Sequence, residues 1–384
     1  QSDIRAAHFD PDSRRIVGAS WDGTARVWDA TASYRRWSLS PTSDDCGLVS
    51  SPEPDDRVVA VRCGDHVTRV WDTARDQLIA ELPSVTHVEG DFASAFPVVS
   101  SAGDRAAIAR GNEVEVYELP GGRLLRTIAQ GAPVNVVAFA ATGRDLASGA
   151  VDGSLLVARD NGALLSLPSA PGGIDAAALL PDGRVVASDA QRRLRVYDRL
   201  GTVVADLELP GRVMSLRISG AFLVTVPRCP GSATPPVLLD LTSYRIVAQL
   251  GGHVGRVLSA RWVTDGRILT AGSDGTARLW DGTTGQLRQV YRGSSRFLAD
   301  ATLAPGGFVV AGGADGLLRF WDPASGQLLW TLQVDKSPLL ALHVDGDDIV
   351  TRGFSGELSR WTLPRSEPVI EAWEDHEHRA IVRR

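Results

Sequence analysis

The sequence predicts an all-β protein built from nine similar four-stranded antiparallel sheets that pack against one another. Three observations support this fold class. The segment AGSDGTARLWDG, residues 271–282, nearly recurs as ASWDGTARVWDA and as GGADGLLRFWDP. The tryptophan of this segment, or its substitute, returns every 39 to 46 residues along the chain. Short runs of alternating apolar and polar residues lie between turns rich in Gly and Asp, a pattern typical of β-hairpins.

The repeat covers the chain without interruption. The aligned positions are Trp28, Trp71, Tyr117, Ala158, Tyr197, Leu239, Trp280, Trp321 and Trp361. A fixed period of about 40 residues is the signature of a tandem array of small structural units. We therefore predict one domain over residues 1–373, followed by a C-terminal tail at 374–384. Units 1 to 9 cover about 1–42, 43–86, 87–131, 132–171, 172–210, 211–252, 253–294, 295–335 and 336–373.

Unit 7 shows how one repeat becomes one sheet. Its alternating segments predict four strands separated by tight turns, at 257–263, 268–272, 277–281 and 287–293. A sheet of four short strands cannot bury both of its faces alone, so successive sheets must stack on one another. A radial arrangement buries these faces and leaves few strand edges exposed.

Unit 7 resembles a repeat of the WD40 family of β-propellers. The WD dipeptide that gives the family its name stands intact at Trp28-Asp29, Trp71-Asp72, Trp280-Asp281 and Trp321-Asp322. The resemblance implies that four side chains of unit 7 form a hydrogen-bonded network that fixes the sheet, namely His253, Thr270, Asp274 and Trp280. Since a buried imidazole and carboxylate are tolerated when they are fully partnered, we assign these residues a structural role. Unit 4 departs from the pattern, with Ala158 at the tryptophan position.

The number of repeats and the closure of the ring are linked. Propellers have typically four to eight blades, whereas the sequence has nine units. We favour a single nine-bladed ring, and the alternative is a fragment of a longer array or of two propellers. Many members of the family let the N-terminus complete the last sheet. Because the first strand, near residues 4–9, begins almost at Gln1, we expect unit 9 to finish its own sheet with residues 368–373.

Composition excludes several classes of function. A formal net charge of −6 argues against a general nucleic-acid binder. No run of about 18 apolar residues is present that could span a membrane. The three cysteines, Cys46, Cys63 and Cys229, have unrelated spacings that fit neither a disulfide framework nor a zinc site. We expect a reducing, cytoplasmic location.

The chain has no recognisable catalytic motif. It contains no G-x-S-x-G elbow, no phosphate-binding loop and no H-E-x-x-H helix. We therefore expect no enzyme activity, no catalytic residue, no cofactor and no metal. Two alternatives stay open, an enzyme with its site at the mouth of the central channel and a purely structural spacer.

Two aromatic residues suggest a binding surface. Trp21 lies just before the turn aspartate of unit 1, and Phe354 is its equivalent in unit 9. Units 1 and 9 would be neighbours in a closed ring, so both rings would lie on one rim. Exposed aromatic side chains on turns are frequent interface anchors. In the alternative interpretation, each ring packs onto its own blade.

Four cations recur at equivalent positions. They lie just ahead of the first strands of units 6 to 9 and comprise Arg212, Arg256, Arg296 and Lys336. Equivalent positions in consecutive blades form an arc on one face, where an acidic or phosphorylated peptide could dock. The alternative is an unrelated exposed charge on each loop.

The prediction for function is a non-catalytic scaffold that binds a protein or peptide through these loops. The family resemblance implies a recognition or sensor module of a larger bacterial signalling or effector protein, with an upstream domain in the same polypeptide. A pre-ordered face of several loops loses little conformational entropy when a partner docks.

Overall fold

Short strands joined by tight turns form the described part of the chain, in a computed structural model. Backbone and side chains are described for residues 58, 60, 67–72, 75, 77–83, 97–140, 143–228, 234–263, 265–304, 306–344, 346, 348–354 and 359–362. For the other residues, the structure describes the backbone of the strands named below. Over the described residues, no helix is long and apolar enough to cross a membrane.

The strands follow the predicted repeat. Units 1 to 3 contain β1 (Ile4–Phe9), β2 (Arg15–Ser20), β3 (Ala25–Asp29), β4 (Arg35–Leu39), β5 (Leu48–Val49), β6 (Val58–Arg62), β7 (Val67–Asp72), β8 (Gln77–Pro83), β9 (Val98–Val99), β10 (Arg105–Arg110), β11 (Glu113–Glu118) and β12 (Arg123–Ala129). Units 4 to 6 contain β13 (Val134–Phe139), β14 (Leu146–Ala150), β15 (Leu155–Ala158), β16 (Leu164–Leu167), β17 (Ile174–Leu179), β18 (Val185–Asp189), β19 (Arg193–Tyr197), β20 (Val203–Glu208), β21 (Val213–Ser219), β22 (Phe222–Pro227), β23 (Val237–Asp240) and β24 (Arg245–Gln249). Units 7 to 9 and the C-terminal segment contain β25 (Val257–Trp262), β26 (Ile268–Gly272), β27 (Ala277–Trp280), β28 (Leu287–Tyr291), β29 (Leu298–Leu303), β30 (Val309–Gly313), β31 (Leu317–Trp321), β32 (Leu328–Gln333), β33 (Leu339–Asp345), β34 (Asp348–Gly353), β35 (Leu358–Thr362), β36 (Ala372–Glu374) and β37 (Ala380–Val382).

Units 2 to 8 each form one antiparallel sheet from their own four consecutive strands. The first strand of each sheet from unit 4 to unit 9 contacts the first strand of the next sheet. Solvent exposure increases from the second strand to the fourth strand of a sheet. Second strands such as β26 and β30 are buried throughout, while fourth strands such as β24 are largely exposed. The first strands therefore lie inside, and the fourth strands form the outer rim.

The hydrophobic core is a series of clusters between neighbouring sheets. One cluster joins units 7 and 8 through Leu279, Tyr291 and Trp321, and a second joins units 8 and 9 through Phe320 and Trp361. Similar clusters join the sheets from unit 2 to unit 7. Each sheet from unit 3 to unit 8 is thus buried on both faces by its neighbours, as the argument from sheet size requires.

The closure of the array differs from the prediction. Strand β4, which the sequence assigned to unit 1, pairs antiparallel with β35 and forms the fourth strand of the sheet of unit 9. Residues 372 and 373, the end of the predicted closing strand 368–373, instead belong to β36, which pairs with β37 in a two-stranded sheet. Closure from the C-terminal side was therefore wrong.

The strand count per unit also needs correction. The described strands form eight four-stranded sheets, while β1, β2 and β3 form a three-stranded sheet. Nine four-stranded sheets were expected, and the difference is the transfer of β4 to unit 9. The physical reason is that a short outer strand does not specify by its own sequence which third strand it joins.

The closure can be tested with proline pairs. Replacing both Ser38 and Leu39 by proline is expected to lower the free energy of unfolding by about 2–3 kcal/mol, because neighbouring residues of a strand point their N–H groups to opposite edges and at least one bond to β35 is lost. The matched change of Trp373 and Glu374 in β36 is expected to cost less than about 1 kcal/mol. Urea denaturation measures both variants, and the reverse ranking would contradict closure by β4.

Candidate binding face

The signature side chains of unit 7 form a continuous chain of hydrogen bonds. The indole N–H of Trp280 donates to Thr270 Oγ1 at 2.9 Å, and Thr270 Oγ1 lies 2.8 Å from Nε2 of His253. Nδ1 of His253 lies 3.0 Å from Oδ1 of Asp274, which also accepts from Thr276. Since the Thr270 hydroxyl accepts from the indole, it donates to Nε2, and the neutral imidazole then donates from Nδ1 to the carboxylate. These groups are fully used inside the sheet.

Burial sets the ionisation of this network. Desolvation lowers the pKa of His253, and Asp274 opposes that effect only partly. Desolvation acts in the opposite direction on Asp274, but hydrogen bonds from His253, from the amide of Val254 and from Thr276 hold the pKa of its carboxyl below the ordinary value. The imidazole is thus neutral and the carboxylate charged near neutral pH.

The lowered pKa of His253 predicts acid sensitivity. Below the unfolded value of 6.5 the unfolded chain takes up a proton that the folded chain does not, so stability falls as pH decreases from 7 to 5. His253→Gln is expected to flatten this part of the profile. Chemical denaturation at several pH values measures it, with Asp274 contributing only at lower pH. Equal slopes for the variant and the parent protein would contradict the assignment.

Unit 4 has an equivalent network that the sequence analysis did not identify. Gln130 stands four residues before its first strand, as His253 does in unit 7. Ser148 Oγ donates to Oε1 of Gln130 at 2.5 Å, and Nε2 of Gln130 donates to the carbonyl oxygens of Ser148 and Ser154. The sequence signal that could have identified this network was the position of Gln130, four residues before the first strand. It was missed because unit 4 has a glutamine amide where unit 7 has the imidazole of His253.

The loops gather on one side of the array, which we call the loop face. It consists of the turns between second and third strands and the loops that lead into the first strands. In each of units 4 to 9, the residue after the second strand donates its N–H to a carbonyl just before the first strand, as Ser273 does to Arg256 at 2.8 Å. Gly275 packs so closely against the loop of unit 8 that a Cβ would meet Ser294 O at 2.5 Å. The two kinds of loop therefore support each other.

Arg212 is engaged within the protein. Its Nε donates to Oδ2 of Asp175 at 2.7 Å, and Arg228 Nη1 donates to Oδ1 of the same carboxylate at 2.9 Å. The Asp175 side chain is 1% exposed. Two arginines of unit 6 thus hold one buried aspartate of unit 5, so Arg212 ties neighbouring units together.

The other three predicted cations lie on the loop face. Arg256, Arg296 and Lys336 are all exposed. The loop of unit 8 is fixed by its own backbone, because Ser294 Oγ donates to the carbonyl of Arg296 and accepts from its amide. Asp335 similarly accepts from the amide and hydroxyl of Ser337, beside Lys336. The guanidinium of Arg296 and the ammonium of Lys336 have no ion pair with a described residue.

Of the two predicted aromatic anchors, the structure describes Phe354. Its side chain is 66% exposed, and its N–H donates to Pro338 O at 2.7 Å, so the ring stands beside the loop that carries Lys336. Trp21 lies outside the described residues. The structure therefore brings Phe354 and Lys336 to one part of the loop face and leaves the pairing of the two aromatic rings a prediction.

No cluster of at least three His, Cys, Asp or Glu side chains with the arrangement of a metal site occurs among the described residues. The carboxylates on the loop face accept hydrogen bonds from neighbouring loops or arginines, as Asp315 does from Arg319 at 3.0 Å. Among the described residues, this face carries exposed apolar and cationic side chains, such as Phe354 and Lys336.

Comparisons with known proteins agree with this geometry. The family model described as "WD domain, G-beta repeat" matches residues 1–29 and 244–281. The WD repeat-containing protein 91 homolog of Dictyostelium discoideum is 25% identical over 315 residues, which are 72% of this chain and 38% of the relative.

Two solved structures share the fold. The computationally designed Ika8 protein has a TM-score of 0.65 at 20% identity, with 84% of this chain and 98% of that chain covered. Saccharomyces cerevisiae Sqt1 has a TM-score of 0.66 at 12% identity, with 86% and 99% covered.

These observations define a protein of the β-propeller class, with its loops gathered on one face. The chain resembles WD40-repeat proteins, and two of its segments match the model of the repeat. Proteins with this repeat are generally non-catalytic scaffolds for protein interactions.

Proposed function

We propose that this chain binds a protein or peptide partner through its loop face and serves as the recognition module of a larger cytoplasmic protein, in bacterial signalling or an effector response. The observation that most supports this proposal is the exposed ring of Phe354, which lies on a turn held by a backbone hydrogen bond. A ring this exposed adds little to the core, and aromatic side chains on rigid supports are effective anchors.

Three cations define the chemistry of the proposed partner. Arg256, Arg296 and Lys336 lie on consecutive units of the face that carries Phe354. A partner with carboxylates or phosphates meets complementary charge there, which increases the association rate and discriminates against basic partners. Arg212 supports the neighbouring loop through Asp175, so it contributes to the shape of the face.

The proposal of a larger protein is supported by the length of the relative. This chain spans 38% of the length of the WD repeat-containing protein 91 homolog. In such an arrangement, the propeller supplies recognition, and an upstream domain of the same polypeptide supplies the output.

The experiment compares capture of a partner from cell extract by the parent chain and by the double variant Trp21→Ala, Phe354→Ala. The double variant is expected to lose at least about tenfold in captured partner, because truncation of an aromatic anchor costs about 1.4 kcal/mol or more. Its Tm is expected to stay the same.

Leu200→Ala provides the matched control, because Leu200 is 83% exposed in the turn between a third and a fourth strand, on the side opposite the loop face. We expect full capture by this variant. Loss of capture together with a lower Tm would place the two aromatic rings in the core, and unchanged capture would contradict binding through the loop face.

A further inference from the structure

The first strands of six consecutive units share a β-bulge at one position. In units 4 to 9, the second residue of the first strand is skipped in the pairing register, as Met214 is between the pairs Val213–Pro227 and Ser215–Val226. The skipped residues are Asn135, Asp175, Met214, Leu258, Ala299 and Leu340. A bulge releases its extra residue from the ladder and re-aims its side chain. Each of these inner strands thus presents one residue next to the loop face.

The skipped residues of units 4 and 5 are polar and already partnered. Nδ2 of Asn135 donates to the carbonyl of Ile174 at 2.6 Å, and Asp175 accepts from Arg212 and Arg228. These bonds connect each unit to the next one, so the skipped residues of units 4 and 5 are held by internal contacts.

The skipped residues of units 6 to 9 are all apolar and retain exposure. The side chain of Met214 is 53% exposed, and Leu258, Ala299 and Leu340 are partly exposed. We call these four residues the inner apolar row. Apolar exposure next to inner strands leaves surface that a partner's side chains could cover.

Further apolar groups and cations border this row. Val254, which is 80% exposed, and Phe354 stand on the loops of units 7 and 9. The guanidinium of Arg296 and the ammonium of Lys336 stand on the loops of units 8 and 9. Arg296 lies three residues before Ala299, and Lys336 lies four residues before Leu340.

Among the described residues, the nearby carboxylates form no ion pair with these two cations. Asp274 bonds with His253 and Thr276, Asp315 pairs with Arg319, and Asp335 accepts from Ser337. The face therefore offers apolar surface bordered by positive charge.

We propose that the inner apolar row of units 6 to 9 binds a peptide segment whose apolar side chains cover Met214, Leu258 and Leu340 while flanking anionic groups meet Arg296 and Lys336. The proposal rests on the proposed function and adds the chemistry of the partner. Apolar burial supplies affinity, and the cations fix the orientation of the peptide and exclude basic segments.

The test is a selection of random 12-residue peptides displayed on phage against the immobilised chain, followed by Kd measurements with the synthetic peptides. We expect enriched peptides that combine several apolar residues with Asp or Glu. Met214→Asp and the pair Arg296→Glu, Lys336→Glu are each expected to raise Kd at least about tenfold. Leu164→Asp on the outer strand β16, where the side chain is 58% exposed, is the control and should leave Kd unchanged.

The outcomes separate the two proposals. Enriched peptides that lose affinity with Phe354→Asp but not with the charge reversals would overturn the anionic partner and leave binding through the loop face intact. Peptides insensitive to all of the loop-face variants, or no enrichment above background, would overturn both. Replacing the Asp and Glu residues of a selected peptide by phosphoserine distinguishes the two anion sources, since tighter binding would favour a phosphorylated partner and weaker binding a carboxylate one.

Discussion

Replacing Asp300 with asparagine is expected to lower the free energy of unfolding by about 3–5 kcal/mol. Asp300 is buried on the first strand of unit 8, where it accepts from Arg261 Nη2 at 2.7 Å and from the amide of Leu342 at 3.0 Å. The charge of Asp300 also acts on Arg352, whose pKa is lowered by burial to about 10. The variant keeps the shape of the side chain but leaves buried guanidinium groups without their counter-charge.

Asp265→Asn is the matched control for this prediction. Asp265 pairs with Arg267 at the surface, where each side chain is about a third exposed, so the same change is expected to cost less than about 1 kcal/mol. Urea denaturation of both variants measures the difference. Similar losses for the two variants would show that the buried pair between units 7 and 8 is no more important than a surface pair.

Trp321→Ala is expected to cost about 3–5 kcal/mol, because it opens a cavity between the sheets of units 7 and 8. Trp321 is fully buried, its ring centroid lies 5.9 Å from that of Tyr291, and its indole N–H donates to the carbonyl of Arg292 at 2.7 Å. Calorimetry or denaturant unfolding measures the loss.

Trp321→Phe separates packing from hydrogen bonding. It keeps an aromatic ring but removes the donor to Arg292, so we expect a loss smaller than that of the alanine variant by at least about 1 kcal/mol. Unit 4 carries Ala158, which is buried, at the equivalent position. If Trp321→Ala cost as little as a surface change, the core between units 7 and 8 would tolerate alanine as unit 4 does.

The repeat and its strands could be predicted because short-range sequence patterns determine them. Trp280 and Trp321 recur in phase, and the Gly- and Asp-rich turns between them mark strand ends. The closure by β4 could not be predicted in this way. The sequence of a short fourth strand does not name its partner, which is selected by the geometry of the whole array.

The binding face was predictable only in part. Equivalent loop positions indicated Phe354, Arg296 and Lys336, which the structure places in exposed loops, while their role in binding stays a prediction. The pairing of Arg212 with Asp175 joins residues 37 positions apart in neighbouring units, and no local pattern contains it.

The repeated bulge separates the pairing of the first strand from the choice of the side chain that this strand exposes. A residue such as Met214 or Leu340 lies outside the pairing register, so its identity can change without shifting any neighbouring hydrogen bond. At the skipped position of their own first strands, six consecutive units carry asparagine, aspartate, methionine, leucine, alanine and leucine. Single substitutions at these positions can therefore change the surface of the inner strands while the pairing of every sheet is kept.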